Sequence, residues 1–267
     1  MQSPPSSILL EVNGFPIHYY GVIMFLAIVS GLIVIQQIAK KYYKNINTEI
    51  ILDIVPFIIL FSLVGARLYY VLMDFSYYSK HLGEIVAVWN GGMSIHGGII
   101  GGVISGLFLA KRNKIKFLEY ADVFSYGLVI GQAIGRFGNY FNCEAFGKPC
   151  TNTIFGLFIP ESHRPFDYIQ YEYFHPTFLY ETIWDIFVFL ILFLLIRKII
   201  MKFNASKGTL FFSYLILYSI GRFFIEWCRL DSVKNLFGLH IAQIVSIGII
   251  IISLLGIYFI NRKEDNQ

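Results

Sequence analysis

Residues 20–39 read YGVIMFLAIVSGLIVIQQIA, and Lys40, Lys41 and Lys44 follow at once. A helix of this length, rising about 1.5 Å per residue, covers a hydrocarbon core of roughly 30 Å. No charge interrupts it, and a helix satisfies its backbone polar groups within the segment, as hydrocarbon requires. The lysines behind it mark the end that stays in the cytoplasm, because Lys and Arg accumulate on that side of spanning segments. One stretch therefore predicts both a membrane helix and its direction.

The rest of the chain repeats this pattern. Of 267 residues, 56% are hydrophobic and 14% charged, against about 25% charged in soluble domains. Apolar stretches predict seven spans, at about 20–39, 50–73, 91–110, 117–136, 175–200, 208–229 and 239–260. Glu119, Asp122 and Gln132 interrupt the fourth, but the charges around it retain it. Basic residues gather on alternate connections: after the first span, after the third (Lys111, Arg112, Lys114, Lys116), after the fifth (Arg197, Lys198, Lys202, Lys207) and at the end (Arg262, Lys263). Residues 1–19 carry none. The expected fold is all-α: a polytopic membrane protein with seven transmembrane helices, N-terminus outside and C-terminus cytoplasmic. The tail has no basic n-region or cleavage site, so no removable signal peptide is expected.

No repeat or low-complexity tract divides the chain, so 1–267 is expected to be a single integral-membrane domain. Its one long connection, 137–174, lies on the outer side and is large enough for a small head. Residues 76–89 form a second outer segment of amphipathic character. The net charge of +4 is mostly this inside bias and implies no nucleic-acid partner; the partner it implies is the lipid bilayer.

Charged groups in apolar spans cost roughly 2.5–3.5 kcal/mol on translocon scales, so each is a functional candidate. With the predicted topology nearly all of them fall at one depth, the outer third. Tyr20 starts the first span, Arg67 lies late in the second, and His96 enters the third. Arg136 ends the fourth, His175, Tyr180 and Glu181 open the fifth, and Arg222, Glu226 and Arg229 close the sixth. Just past the fourth span, Gly135-Arg-Phe-Gly-Asn-Tyr-Phe-Asn-Cys-Glu-Ala-Phe-Gly147 adds Asn139, Asn142 and Glu144, with glycines that allow sharp turns and close approach.

Tyr218, Arg222, Glu226 and Arg229 share one helix face, which allows an Arg222–Glu226 ion pair. That pair leaves Arg136 and Arg229 without carboxylates, and guanidiniums of that kind bind phosphate bidentately. A helix C-terminus also favours a cation at Arg136 for structural reasons alone. His96 lies among Gly91, Gly92, Gly97, Gly98, Gly101 and Gly102, whose density means close helix packing or a cavity wall.

Ser94 and His96 are two apart and point away from each other on a helix, and no Gly-x-Ser-x-Gly elbow is present, so a serine nucleophile is excluded. The histidines at 18, 96, 175 and 240 lack metal spacing, and no metal or cofactor is expected. Cys143 and Cys150 are close enough in sequence to meet outside the membrane; Cys228 is remote.

At these residues the chain resembles the prolipoprotein diacylglyceryl transferase family of bacteria. Gly135–Gly147 is similar to its segment Gly-Arg-x-Gly-Asn-x-x-Asn-x-Glu-x-x-Gly. Gly91–Gly98 resembles Gly-Gly-Met-Ser-x-His-Gly-Gly, His175–Glu181 resembles His-Pro-Thr-Gln-Leu-Tyr-Glu, and Tyr218–Arg229 resembles Tyr-x-x-x-Arg-x-x-x-Glu-x-x-Arg. His18–Gly21 and Ile241–Ser246 match the entries to its first and last helices, so the likeness runs from about 14 to 255. Two departures stand out: Phe178 replaces a Gln, and Leu230-Asp231-Ser232 replaces an ending in residue–Pro–Asp.

The resemblance implies transfer of a diacylglyceryl group from phosphatidylglycerol to the lipobox cysteine thiol behind a prolipoprotein signal peptide. Glycerol phosphate leaves, and the enzyme sits in the bacterial inner (cytoplasmic) membrane with its site towards the outer leaflet. In that reading Arg136 and Arg222 bind phosphate, and His96 is the base or proton relay. Asn139 and Glu144 orient the headgroup, Tyr20 and Tyr218 shape the pocket, and Gly147, Glu226 and Arg229 complete the substrate site. The residues alone leave two rivals open: a headgroup hydrolase using water in the same pocket, and a transporter with an outward anion site. The paired broken spans of a transporter are absent from the sequence.

Overall fold

A computed structural model describes residues 1–4, 6–12, 14–151, 154–203, 205–230 and 238–265. Among these residues the chain is helical, with two short two-stranded sheets. β1 (Ile8–Val12) and β2 (Phe15–His18) pair antiparallel, Leu10 with Ile17 and Val12 with Phe15. α1 (Tyr19–Tyr42), α2 (Thr48–Met73), α3 (Ile95–Arg112) and α4 (Phe117–Phe141) follow. β3 (Leu157–Phe158) pairs with β4 (Tyr173–Phe174). α5 (Thr177–Ile191) continues through a π turn, Leu192–Ile196, into Arg197–Phe203. α6 (Thr209–Ile225) ends in a 3₁₀ turn, Glu226–Cys228, and α7 is Ile241–Asp265.

A helix therefore stands at each of the seven expected positions. Four are long and apolar enough to cross a membrane by length and composition: Tyr19–Tyr42, Thr48–Met73, Thr209–Cys228 and Ile241–Arg262. The other three differ for visible reasons. α3 is shorter than expected, because Gly91 and Gly92 adopt φ of +82° and +71° and delay its start to Ile95. His96 thus lies in the first turn of its helix rather than five residues into a span. α4 carries buried polar groups, and α5 is interrupted by its π turn.

The chain divides into two compact units, 38–120 and 1–37 with 121–267. In the 38–120 unit, the glycines of α3 are a packing stripe against α2. A Cβ on Gly65 would stand 2.5 Å from the Gly97 carbonyl oxygen, one on Gly101 would collide with the Phe61 carbonyl, and one on Gly102 would meet the Ser62 hydroxyl at 2.7 Å. Of the two meanings open for these glycines, close helix packing is the one realised.

Buried Arg67 shapes the outer segment of the same unit. Its guanidinium donates to the carbonyls of Glu84 (2.6 Å), Ile85 (2.9 Å), Gly91 (2.7 Å) and Gly92 (2.9 Å) and lies over the Tyr78 ring. Residues 75–90 accordingly form short helical turns around that side chain.

In the other unit α4 is the organiser. α1 crosses it through small residues: a Cβ on Gly31 would meet the Gly127 carbonyl oxygen at 2.7 Å, and Ala27 faces Gly131. Two of the polar residues that interrupt its apolar pattern tie it to α6. Buried Asp122 accepts from the backbone N–H of Gly208 (2.7 Å) and Phe211 (2.8 Å), satisfying donors that the start of α6 would leave bare. Gln132 accepts from the Tyr214 hydroxyl at 3.0 Å. Thr182 of α5 donates to the Ala133 carbonyl at 3.0 Å. On α7, Gln243 accepts from the His240 N–H and donates to the Phe223 carbonyl of α6.

Removing the cap should be measurable. Asp122→Ala is expected to cost about 1–3 kcal/mol of stability, read as earlier unfolding in detergent, with Asp122→Asn costing less because one acceptor oxygen remains. An Ala variant as stable as the parent would remove the capping role.

Candidate active site

Glu181 opens the second turn of α5 and is 4% exposed. It reaches α6 because Trp184, one turn away, lies flat where Gly221 has no side chain and donates to the Leu217 carbonyl at 3.0 Å. Glu181 Oε1 then meets Arg222 Nη1 at 2.8 Å and Arg229 Nη1 at 3.4 Å, while Oε2 meets Arg136 Nη1 at 3.1 Å. Glu226 Oε2 takes Arg222 Nη2 at 2.7 Å, the i,i+4 pair open from the sequence, and lies 3.9 Å from Arg229 Nε. The Tyr218 hydroxyl is 3.4 Å from Arg136 Nη2.

The structure thus corrects one expectation: Arg136 and Arg229 do have carboxylates. A guanidinium in an apolar bundle without a counter-ion is too costly, and Glu181 from the neighbouring helix supplies one. The layering is unequal. The Glu181 and Glu226 side chains are 5% and 4% exposed, Arg229 9%, but Arg222 keeps 21% and Arg136 22%. Carboxylates sit behind, and two guanidiniums present their outer edges. Asp185, one turn further along α5 and 2% exposed, lies within electrostatic reach of Arg136 and Glu181.

A second correction concerns the backbone. α4 runs on to Phe141, five residues past the expected end at 136, so Gly138 and Asn139 are helical rather than in a turn beyond the span. Gly138 serves close approach instead: a Cβ there would stand 2.7 Å from the Tyr20 ring. The sharp turn comes after the helix, at non-glycine positions, Cys143 (φ 50°) and Ala145 (φ 54°). Glu144 stands exposed between them. Its N–H donates to the Asn139 carbonyl at 3.0 Å, and the amides of Asn139 (3.0 Å) and Asn142 (3.4 Å) both donate to its Oε1.

Gly147 then passes between two backbones, donating to the His175 carbonyl at 2.8 Å and bridging to Arg229. A Cβ at 147 would lie 2.6 Å from the Cys228 carbonyl oxygen and 2.7 Å from His175 Cβ. Beyond it Phe146, Leu157, Ile159, Phe174 and Phe178 form a small core. Phe178, one of the two departures from the family pattern, is therefore a helix and core contact, against Phe137 and Tyr140. In the other departure, Asp231 and Ser232 lie outside the described residues.

A profile of the family described as prolipoprotein diacylglyceryl transferase matches residues 7–259. The chain belongs to the prolipoprotein diacylglyceryl transferase family. Similar curated proteins include those of Nostoc sp. (42% identical, covering 97% of this chain and 91% of the relative) and Synechocystis sp. (39%, covering 98% and 92%). That of Bacillus velezensis is 37% identical, covering 98% and 94%. Each carries the name phosphatidylglycerol–prolipoprotein diacylglyceryl transferase.

Of the residues singled out in this family member, Arg136, Tyr218, Arg222, Glu226 and Arg229 meet in one cluster. Asn139, in the last turns of α4, holds Glu144 of the adjoining turn, Gly147 closes that turn, and Tyr20 lies over Gly138. His96 belongs to the 38–120 unit, where it is exposed with its ring 6.0 Å from that of Tyr69. Arg67, placed at the same depth by sequence, serves the fold of that unit. Glu181 stood among the polar residues in sequence without a role, and it is the hub. Asp185 was missed; its signal was a second carboxylate four residues on, inside an apolar run.

Glu181→Ala is expected to destabilise the protein by about 3–5 kcal/mol, the cost of leaving buried guanidiniums uncompensated. Exposed Glu144→Ala should change stability by less than about 0.5 kcal/mol. Unfolding in mixed micelles compares them, and similar effects would contradict the hub.

Proposed function

We propose that the chain transfers the diacylglyceryl group of phosphatidylglycerol to the lipobox cysteine thiol of prolipoproteins. The observation that carries this reading is the arginine cluster, backed by buried carboxylates and open on its outer edge, beside the Asn139–Glu144 turn. The names of the relatives support the substrate pair. In the reaction a C–S thioether bond forms, the C–O bond to phosphate breaks, and glycerol phosphate leaves with the electron pair of that bond.

Arg136 and Arg222 hold the phosphate, with Tyr218 on the wall. Groups already fixed where charge develops act without reorganisation, and the buried carboxylates fix these two. Glu144 and Asn139 orient the headgroup: both amides occupy Oε1, and the other carboxylate oxygen accepts from glycerol hydroxyls. Glu226 and Arg229 hold Arg222 and the 147–148 backbone in place. Tyr20 shapes the entrance above Gly138. His96 takes or relays the thiol proton. The protein's own cysteines take no part; burial pushes the Cys143 thiol up from its ordinary range, away from the thiolate.

The setting that fits is the bacterial inner membrane, with seven spans, N-terminus outside, C-terminus cytoplasmic and the site towards the outer leaflet. The alternating Lys and Arg connections support the orientation. We read 1–267 as one membrane domain with 137–174 as its outer head.

Mass spectrometry of a lipobox peptide incubated with purified protein in phosphatidylglycerol vesicles tests this. A diacylglyceryl mass should appear on the cysteine and fall about 10²–10³-fold in Arg136→Ala. Glycerol phosphate released without peptide modification would make the protein a hydrolase, and no change in either would favour transport. His96→Gln should lower turnover at least about 10²-fold; near-normal turnover would remove the base assignment. A variant with Cys143, Cys150 and Cys228 all alanine should stay active.

A further inference from the structure

The turn that presents Glu144 is built on two residues that disfavour it. Left-handed φ at a side-chain-bearing residue is uncommon and costs on the order of 1–2 kcal/mol, yet Cys143 (φ 50°) and Ala145 (φ 54°) both adopt it. Strained backbone persists only where its surroundings over-determine it. On the Cys143 side the restraint is local: the N–H groups of Asn142, Cys143 and Glu144 donate back to Gly138, Tyr140 and Asn139 of α4. On the Ala145 side it comes from far away in sequence. The Thr177 hydroxyl, on a residue with 0% exposure, donates to the Ala145 carbonyl.

Thr177 is suited to this by its own setting. It is the first residue of α5, following Pro176, and its N–H donates to the His175 carbonyl at 2.9 Å. That carbonyl also receives the Gly147 N–H at 2.8 Å. Its methyl group fills the space beside Gly147, 3.0 Å from where a Cβ would stand. The turn between 144 and 147 is therefore gripped at both ends by His175–Thr177.

We propose that Thr177 is a positioning residue for lipid binding: its hydroxyl holds Ala145 left-handed, and so holds the Glu144 carboxylate where it meets the headgroup. The proposal rests on the assignment of Glu144 to the headgroup. A phosphatidylglycerol hydroxyl bound by Glu144 then depends on a residue that never touches lipid.

Glycine adopts left-handed φ without penalty, which separates this role from plain packing. KM for phosphatidylglycerol and kcat are measured for Thr177→Val, Thr177→Ser, Ala145→Gly, the Ala145→Gly/Thr177→Val double variant and Glu144→Gln, with melting temperatures.

Thr177→Val should raise KM about tenfold, the effect of losing one hydrogen bond, with kcat changed less and melting lowered by no more than about 4 °C. Thr177→Ser should restore KM, and so should adding Ala145→Gly to Thr177→Val. A Thr177→Val protein with parental KM beside an impaired Glu144→Gln overturns the proposal, as does a double variant no better than Thr177→Val. If Thr177→Val alone does not fold, a folded and active double variant supports the proposal and an unfolded one overturns it. Parental KM in Glu144→Gln instead overturns the headgroup assignment on which it rests.

Discussion

Three guanidiniums among apolar helices need buried carboxylate, and Glu181 meets all of them. The requirement fixes much else in its unit. Glu181 must reach α6, so Trp184 lies against Gly221. Arg136 must reach Glu181, so α4 stays helical to Phe141 and is tied to α5 through Thr182 and to α6 through Gln132. Arg229 must turn back, so the end of α6 tightens into a 3₁₀ turn beside the strand-like 147–148 segment. The ion pairs cost desolvation and contribute little net stability; what they supply is a fixed orientation for two guanidiniums that remain partly open.

How much of this could be read from sequence depends on the range of the interaction. Helix positions follow largely from local apolarity and were legible, the fourth with the help of flanking charges, although the start of α3 and the end of α4 were not. The Arg222–Glu226 pair was legible too, since it needs only i,i+4 spacing. Partners supplied by another helix were not: Glu181 lies 41 residues from Arg222, and no local rule joins them. Asp122 and Gln132 looked like defects in α4 for the same reason, since their partners lie on α6.

The turn at 142–145 hid behind its neighbours. Three glycines suggested where the chain bends, and the bend falls at Cys143 and Ala145 instead. The β1–β2 hairpin was not read from the sequence, although Asn13-Gly14 is a strong short-range hairpin signal, because its flanking residues lack a strict apolar–polar alternation. Arg67 was grouped with the other intramembrane charges by depth alone. Its partners are four backbone carbonyls, and a cation satisfied by backbone leaves no pattern of acidic residues in the sequence.

The two outward guanidiniums are not equivalent. Arg222 commits one Nη to each glutamate, at 2.8 and 2.7 Å. Arg136 commits one Nη to Glu181 at 3.1 Å and gives the other a 3.4 Å contact with the Tyr218 hydroxyl. In the proposed reaction the leaving group gains negative charge as the C–O bond to phosphate breaks, and only contacts that strengthen with that charge accelerate the step. Each Nη of Arg222 already faces a carboxylate, which fixes its position while its outer edge stays open, so under the proposed roles it binds substrate and transition state much alike. Arg136 has a weakly engaged N–H to redirect, and its tyrosine partner loses little when that happens. Under the proposed roles, the buried glutamates keep the pair in register, Arg222 would anchor the lipid phosphate, and Arg136 would be the group whose interaction grows as the bond breaks.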